Sequence, residues 1–382
     1  MSKKICFITT IPCTIEAFIF PLAEYIRNNT DWEITFITGK DEDFVKPLPE
    51  GVRHIAVDMK RGMSLDGLKA IHQLVKIFKR EKFDLVQYST PNASLYASIA
   101  AKIAKVPVRL YCQWGMAFVG FHGFKRSVFK CIEKTVCRLS TWIEPDSFGN
   151  LKFSHEQGLY PEEKGSVIWN GSASGVKLDK FDITQKAEWR SAIREKYDIP
   201  ADAMVFGFIG RITGDKGINE LFAAYKKLLP EMPESYLMLV GGMEKADSVS
   251  SELYSWAENE PHVLFCGSTN VVEQYLSAMD IFILPSYREG FGSVVVEAES
   301  MGVPVIVTDI PGPTDAMREG KTGIIVKKAD VKSLYDGMVK MANDAEMRAA
   351  FSAEARPFIE NSFEQSKLMQ YILEDRQKLM KV

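Results

Sequence analysis

Two glutamates, Glu289 and Glu297, stand with seven residues between them in the run PSYREGFGSVVVEAESMGVPVIVTDIPG, residues 285–312, which continues from the apolar segment IFILPS. A carboxylate accepts two hydroxyl hydrogen bonds, which suits the paired hydroxyls of a ribose or a pyranose edge. Gly290 and Gly292 let the backbone come close to a ligand, and a helix starting at Ser293 would aim its free N–H groups at an anion such as a diphosphate. A second cluster, GFIGRITGDKGI at 207–218, sets Arg211 and Lys216 among Gly210, Gly214 and Gly217. Cations on a glycine-rich strand-end loop suit phosphate oxygens. Each cluster also has a plainer reading: the three valines of SVVVEA favour a strand, and a loop arginine or lysine is usually just solvated.

The elements that would carry these loops are readable from apolar periodicity. Strand-like runs KICFITT, WEITFIT, DLVQYS and VRLYC alternate with helical patterns from about Phe18, over Ser64–Glu81 and over Asn92–Ala104. The alternation restarts after Pro200 with VFGFIG, a helix from Ile218, YLMLVGG, a helix over 250–257, VLFCG, a helix over 271–278, IFILPS and VPVIVTD. This is the grammar of βαβ units, so the fold class is α/β with two parallel sheets. A chain of 382 residues exceeds what one core holds well, which also favours two domains. The Gly-, Ser- and Asp-rich stretch NGSASGVKLDKFDITQK divides them, giving a first domain over 1–170, a linker over 171–186 and a second domain over 187–362. The last residues, 363–382, form an amphipathic helix expected to cross back to the first domain.

Composition excludes several classes. With 46% hydrophobic and 25% charged residues the chain is an ordinary globular protein, neither disordered nor collagen-like. Its net charge of −3 hides an asymmetry: up to Asn170 there are 23 basic against 18 acidic residues, and beyond it the balance reverses to −8. An excess of +5 over 170 residues is too thin for a nucleic-acid binder. Six cysteines form no C-x-x-C pair and read as buried free thiols of a reducing compartment. The start imitates a signal peptide, but Glu16 interrupts it and no small-residue cleavage site follows, so a buried first strand is expected. No apolar stretch suffices to span a bilayer, and the expected location is the cytoplasm, at the inner face of the membrane if it meets one.

Taken together the two loops resemble those of the retaining glycosyltransferases of family 4, with the GT-B fold, in the branch that assembles capsular polysaccharides and lipid-linked glycans. The resemblance runs over nearly the whole chain. Glu289 and Glu297 match the family's Glu, seven residues, Glu signature, and Gly210, Arg211, Lys216 and Gly217 match its G-R-x4-K-G signature. RGMSLDGL at 61–68, NGSASGV at 170–176 and DIPGPTDAM at 309–317 match more weakly. The resemblance implies two Rossmann-like domains facing each other across a cleft, the first binding acceptor and the second binding a UDP-sugar. It implies that Arg211 and Lys216 hold the donor pyrophosphate, that Glu297 takes the ribose hydroxyls, and that Glu289 with the backbone of Gly290, Phe291, Gly292 and Ser293 holds the donor sugar. Val294 and Val295 N–H groups would complete the phosphate cradle, and Ser268 and Thr269, after Gly267, would line the base. Arg211, Lys216 and Glu289 are then the catalytic set, and no metal or cofactor is required. Asp41-Glu42-Asp43 resembles the D-x-D metal motif of the other main glycosyltransferase fold, but it follows Gly39-Lys40 in the wrong context and reads as a solvated acidic loop.

One departure stands out. Where the family commonly has His-Gly in the first domain, this chain has Gln113-Trp114-Gly115, so Trp114, Gly115 and the later His122 become the candidate acceptor or sugar contacts. Residues 116–143 mix five aromatics with Lys125, Arg126, Lys130, Lys134 and Arg138 against a single acid, Glu133, a pattern fit for anionic lipid as well as for a scaffold helix. The expected activity is transfer of a hexose or N-acetylhexosamine to a polyprenyl-diphosphate-linked glycan. The competing readings are a UDP-N-acetylglucosamine 2-epimerase, for which the five scattered histidines form no evident set, and an inactive sugar-nucleotide-binding partner.

Overall fold

The computed structural model describes residues 2–381 except 42–43, 45–47, 49–50, 60–65 and 245–247. The chain forms two units, Met1–Gly175 with Gln365–Val382, and Val176–Glu364. In the first unit the strands are β1 (Lys4–Ile8), β2 (Glu33–Thr38), β3 (Val52–Ala56), β4 (Leu85–Tyr88), β5 (Val108–Gln113) and β6 (Trp142–Pro145). They pair in parallel in the order β3-β2-β1-β4-β5-β6. Its helices are α1 (Pro12–Phe18), α2 (Phe20–Asn29), α3 (Asp66–Glu81), α4 (Pro91–Ile103), α5 (Gly123–Leu139) and α6 (Phe148–Glu156). Both sheet faces are covered, so β1 is apolar from Ile5 to Ile8: Ile5 and Phe7 enter one core, Cys6 and Ile8 the other.

The second unit begins with α7 (Lys186–Lys196) and continues β7 (Val205–Ile209), α8 (Ile218–Leu228), β8 (Tyr236–Val240), α9 (Ser251–Asn259), β9 (Val263–Gly267), α10 (Val272–Ala278) and β10 (Ile281–Leu284). It ends with α11 (Ser293–Ser300), β11 (Val305–Thr308), β12 (Gly323–Val326), α12 (Val331–Asn343) and α13 (Ala345–Ser362). The sheet is again parallel, ordered β12-β11-β10-β7-β8-β9. Residues 176–186, read as linker from composition, belong to this unit: Val176 N–H donates to Phe363 O at 2.8 Å, and Val176 and Phe181 lie in its core.

Where the structure departs from the sequence reading, a local cause is visible. Helix begins at Pro12 rather than near Phe18, because Pro12 occupies the first turn of α1, where a missing N–H costs nothing. The helix expected from Ser293 does form, and SVVVEA is helical despite its valines, since burial of Val295 and Val296 in the core outweighs their local preference. The strands that periodicity missed are β3, β6 and β12, all at sheet edges, where VRHIA is half exposed and WIEP carries a proline that only an edge tolerates. The thiols are also not uniformly buried: Cys6, Cys112 and Cys137 are, whereas Cys13 and Cys131 are exposed.

The last helix, α14 (Gln365–Leu379), packs in the first unit, with Leu368, Met369, Ile372 and Leu373 in the same core as Ile5 and Phe7. Arg376 fastens it: the guanidinium, 1% exposed, grips both oxygens of buried Glu144, one of them at 2.9 Å, and donates to Gln87 Oε1 at 3.1 Å. Breaking such a pair from one side leaves a buried charge alone. Arg376→Ala is expected to lower the unfolding free energy by about 3–5 kcal/mol in urea titrations, whereas the paired change Arg376→Met with Glu144→Leu recovers most of that loss.

Candidate functional site

In the second unit β7 lies between β10 and β8, so the strand order reverses at β7/β10. In open parallel sheets ligands bind outside the carboxyl ends of the strands at such a reversal. The loop after β7 carries Asp215-Lys216, and the loop after β10 carries Arg288-Glu289. These two dipeptides pair crosswise. Lys216 Nζ meets Glu289 Oε1 at 2.5 Å and Arg288 meets Asp215 Oδ2 at 2.9 Å, while Tyr287 N–H donates to Asp215 O at 2.9 Å. Ser286 Oγ donates to the same Glu289 oxygen at 2.7 Å, and Thr213 Oγ1 to Asp215 Oδ1 at 2.6 Å. Burial alone would raise the Asp215 pKa, but the Thr213 hydrogen bond and Arg288 win and hold it below the usual value. Lys216 and Glu289 are both largely buried, so their charges are screened little.

Glycine makes this proximity attainable. Gly217 has φ +73°, and a Cβ there would lie 2.0 Å from Pro285 O. On the other side of the E-G-F-G turn, Gly312 has φ +97° and a Cβ would lie 1.7 Å from Gly290 O. The DIPGPTDAM segment therefore backs the turn that holds Glu289, a role its sequence did not disclose.

Gly292, at φ +82°, ends the turn and starts α11 without a side-chain cap, so the helix opens with backbone N–H groups at the strand end. One expected cradle donor is taken: Val295 N–H bonds Gly292 O at 2.8 Å, closing the first helical turn, which leaves Ser293 and Val294 as the donors that precede it. Phe291 turns its ring into the core against Phe363, at 5.2 Å between centroids, so only its backbone can serve a ligand. Glu297 is desolvated on α11, which pushes its pKa up to about 7, with Lys180 opposing and Glu273 assisting. Lys180 Nζ lies 3.6 Å from Glu273, a carboxylate that the sequence reading had passed over.

The remaining expected residues lie farther out. Arg211 is half exposed and pairs with Glu244 at 3.1 Å, with no described bond to the Lys216–Glu289 pair. Ser268 and Thr269 follow β9, the sheet's edge strand, and connect to β7 through a chain of backbone bonds, Gly210 to Val240, Ile212 to Gly242 and Gly241 to Gly267. In the first unit Trp114 rests against Phe18 at 5.5 Å, and Gly115 takes φ +118° beside it. His122 is exposed at the start of α5. Asp41 accepts the Phe44 N–H at 3.2 Å, whereas Glu42, Asp43 and residues 61–65 of RGMSLDGL lie outside the described residues. Among the described residues no group of three His, Cys, Asp or Glu is placed to hold a metal ion.

On α5 the basic residues Lys125, Arg126, Lys134 and Arg138 are exposed and Phe124 is 85% exposed. The single acid, Glu133, turns inward. No helix among the described residues is long and apolar enough to cross a membrane.

The model of the glycosyl transferases group 1 matches residues 190–358, and that of the glycosyl transferase 4-like family matches residues 4–144. The chain is 30% identical to the capsular polysaccharide biosynthesis glycosyltransferase CapM of Staphylococcus aureus, over 95% of this chain and 93% of that one. It is 26% identical to the N,N'-diacetylbacillosaminyl-diphospho-undecaprenol alpha-1,3-N-acetylgalactosaminyltransferase of Campylobacter jejuni, over 92% and 93%. In fold it is similar to Anabaena Alr3699/HepE, solved in complex with UDP and glucose, with a TM-score of 0.79 at 19% identity over 98% and 99% of the two chains.

The clamp's dependence on glycine is open to direct test. Gly312→Ala must both hold an alanine at positive φ and push against Gly290 O, so the second unit is expected to lose about 2 kcal/mol or more in denaturant unfolding. Gly320→Ala, also at positive φ but with open space around its Cβ, should cost less.

Proposed function

The chain belongs to the family 4 glycosyltransferases of GT-B fold, and from that premise we propose that it moves a hexose or N-acetylhexosamine from a UDP-sugar to a hydroxyl of a lipid-linked surface glycan, with retention at the anomeric carbon. The observation that carries this reading is the crosswise pairing of Asp215-Lys216 with Arg288-Glu289 beside the open start of α11. A diphosphate set there meets Lys216 from one loop and the Ser293 and Val294 N–H groups from the other. Arg211, released from its exposed partner Glu244, adds a second cation. These groups stabilise the charge that builds on the leaving diphosphate, in a site where Lys216 is already positioned and largely shielded from water. Glu289 then exchanges its hold on Lys216 and Ser286 for a shared hold that includes donor sugar hydroxyls, and Glu297 accepts from the ribose. A leaving-group oxygen takes the acceptor proton on the same face, which accounts for retention without a protein nucleophile. Ser268 and Thr269 flank the base, and Trp114 and Gly115 meet the acceptor or the sugar. The reaction draws on no metal.

The lipid-linked acceptor is supported by the activity for which the Campylobacter relative is named and by α5, whose exposed Phe124 stands beside Lys125 and Arg126. An aromatic that enters the headgroup region with basic neighbours on the phosphates suits a peripheral membrane contact. Co-sedimentation with phosphatidylglycerol vesicles is expected to fall when Phe124, Lys125 and Arg126 are all changed to serine, with no change for neutral vesicles.

Two measurements test the donor side. Lys216→Ala should depress turnover about a hundredfold or more in protein that circular dichroism shows to be folded; equal activity in the variant sinks the assignment. Glu297 must ionise to accept two ribose hydroxyls, and its pKa of about 7 means that acid removes the acceptor form. UDP affinity by calorimetry is therefore expected to rise about tenfold from pH 6 to pH 8, and to lose that pH dependence in Glu297→Gln.

A further inference from the structure

Gln113 ends β5 and is fully buried directly before Trp114 and Gly115. Its amide nitrogen donates to Glu133 Oε1 at 2.6 Å, and Tyr111 Oη donates to the same oxygen at 2.8 Å. Its amide oxygen accepts from Ser154 Oγ at 2.8 Å and Tyr160 Oη at 3.4 Å. A carboxylate can only accept, so Glu133 dictates which way round the Gln113 amide lies, and the two hydroxyls on the far side agree with that choice. Burial raises the Glu133 pKa, with the hydrogen bonds from Gln113 and Tyr111 opposing. Burying an acid this way is costly where a leucine would fill the space, and such networks are worth most where they select a single geometry. Here the geometry selected is that of a strand end at which the chain turns immediately into Gly115 at φ +118° and sets Trp114 against Phe18. Glu133 is also the only acid on α5, among residues whose basic side chains face out.

We propose that Glu133 is a positioning residue: through the Gln113 amide it fixes the Trp114–Gly115 turn for the acceptor. The proposal rests on the reading above that this turn contacts the acceptor or the transferred sugar. It makes the basic helix and the acceptor turn one rigid piece, held together by a hydrogen bond of defined direction. A lone glutamine could flip; one facing a carboxylate cannot do so without placing oxygen against oxygen.

The direction of that bond supplies the test. In Glu133→Gln two amides face each other with no imposed order, and in Gln113→Glu two carboxylates collide. In the double variant Glu133→Gln, Gln113→Glu the cross-bond returns with its direction reversed: the amide at 133 donates to the carboxylate at 113, which still accepts from Ser154 and Tyr160, and Tyr111 Oη, which meets the same atom at 133, accepts the second N–H of the new amide. Steady-state kinetics of the full chain with a UDP-sugar and a short prenyl-diphosphate glycan are measured alongside melting temperatures. Each single variant is expected to raise the acceptor KM about tenfold with the donor KM within about twofold, and the double variant to return the acceptor KM to near its starting value. Should the singles fail to fold, the double variant and Ser154→Ala, which removes one donor to Gln113, still decide. A folded double variant with a raised acceptor KM, or Ser154→Ala and Glu133→Gln with unchanged acceptor KM, overturns the proposal. Trp114→Ala separates the two levels. If it raises the acceptor KM while Glu133→Gln does not, only the positioning role fails; if it leaves the acceptor KM unchanged, the reading of the turn fails and the proposal goes with it.

Discussion

Two dipeptides of opposite sense, Asp215-Lys216 and Arg288-Glu289, hold the loops after β7 and β10 against each other, and the rest of the second unit is arranged to let them meet. The parallel order puts both loops at the point where the strand sequence reverses. Glycine at 217 and 312 lets backbone approach backbone where any side chain would collide. Gly292 then turns the chain into α11 at the same end of the sheet. The Asp215–Arg288 pair on its own contributes modestly, because both groups remain partly exposed, whereas Lys216 and Glu289 are largely buried. Together they fix where one lysine and one glutamate stand, and the proposed phosphate and sugar contacts rest on that placement.

The first unit solves a different problem with the same sheet. Two buried polar pairs, Arg376 with Glu144 and Gln113 with Glu133, each tie a helix to a strand, α14 to β6 and α5 to β5. In neither case does the charge face solvent. Such buried pairs are poor sources of net stability, but they reject alternative packings. A terminal helix that closes back on the first sheet, and a strand end whose turn has one conformation, are the features that gain from this.

Much of this was legible in the sequence because the chemistry is local. Glu289, Glu297, Arg211 and Lys216 stood out through the family signatures they match, and the structure brings Lys216 to Glu289 while Arg211 pairs with Glu244; apolar runs located the central strands, where both faces are buried. The edge strands β3, β6 and β12 escaped because they are short and mix charged residues, proline or glycine with their apolar positions. The Asp215–Arg288 pair was visible as complementary dipeptides, D-K and R-E, yet nothing in the sequence brings residues 73 positions apart together. The same holds for Gln113 and Glu133: a lone acid in a basic helix is a signal, but its partner lies on a strand 20 residues earlier. Val295 was misjudged for a smaller reason, since which N–H closes the first turn of a helix is decided by geometry at one glycine.

The central claim is that the clamp of the second unit presents a UDP-sugar for transfer with retention. Its most direct measurement is mass spectrometry and proton NMR of the purified protein with a panel of UDP- and GDP-sugars, each with and without a short prenyl-diphosphate glycan. The account predicts UDP release that depends on acceptor, a product heavier by one sugar, and an anomeric coupling that matches the donor's. A product of inverted configuration, or conversion of UDP-N-acetylglucosamine to its epimer without any acceptor, would contradict it.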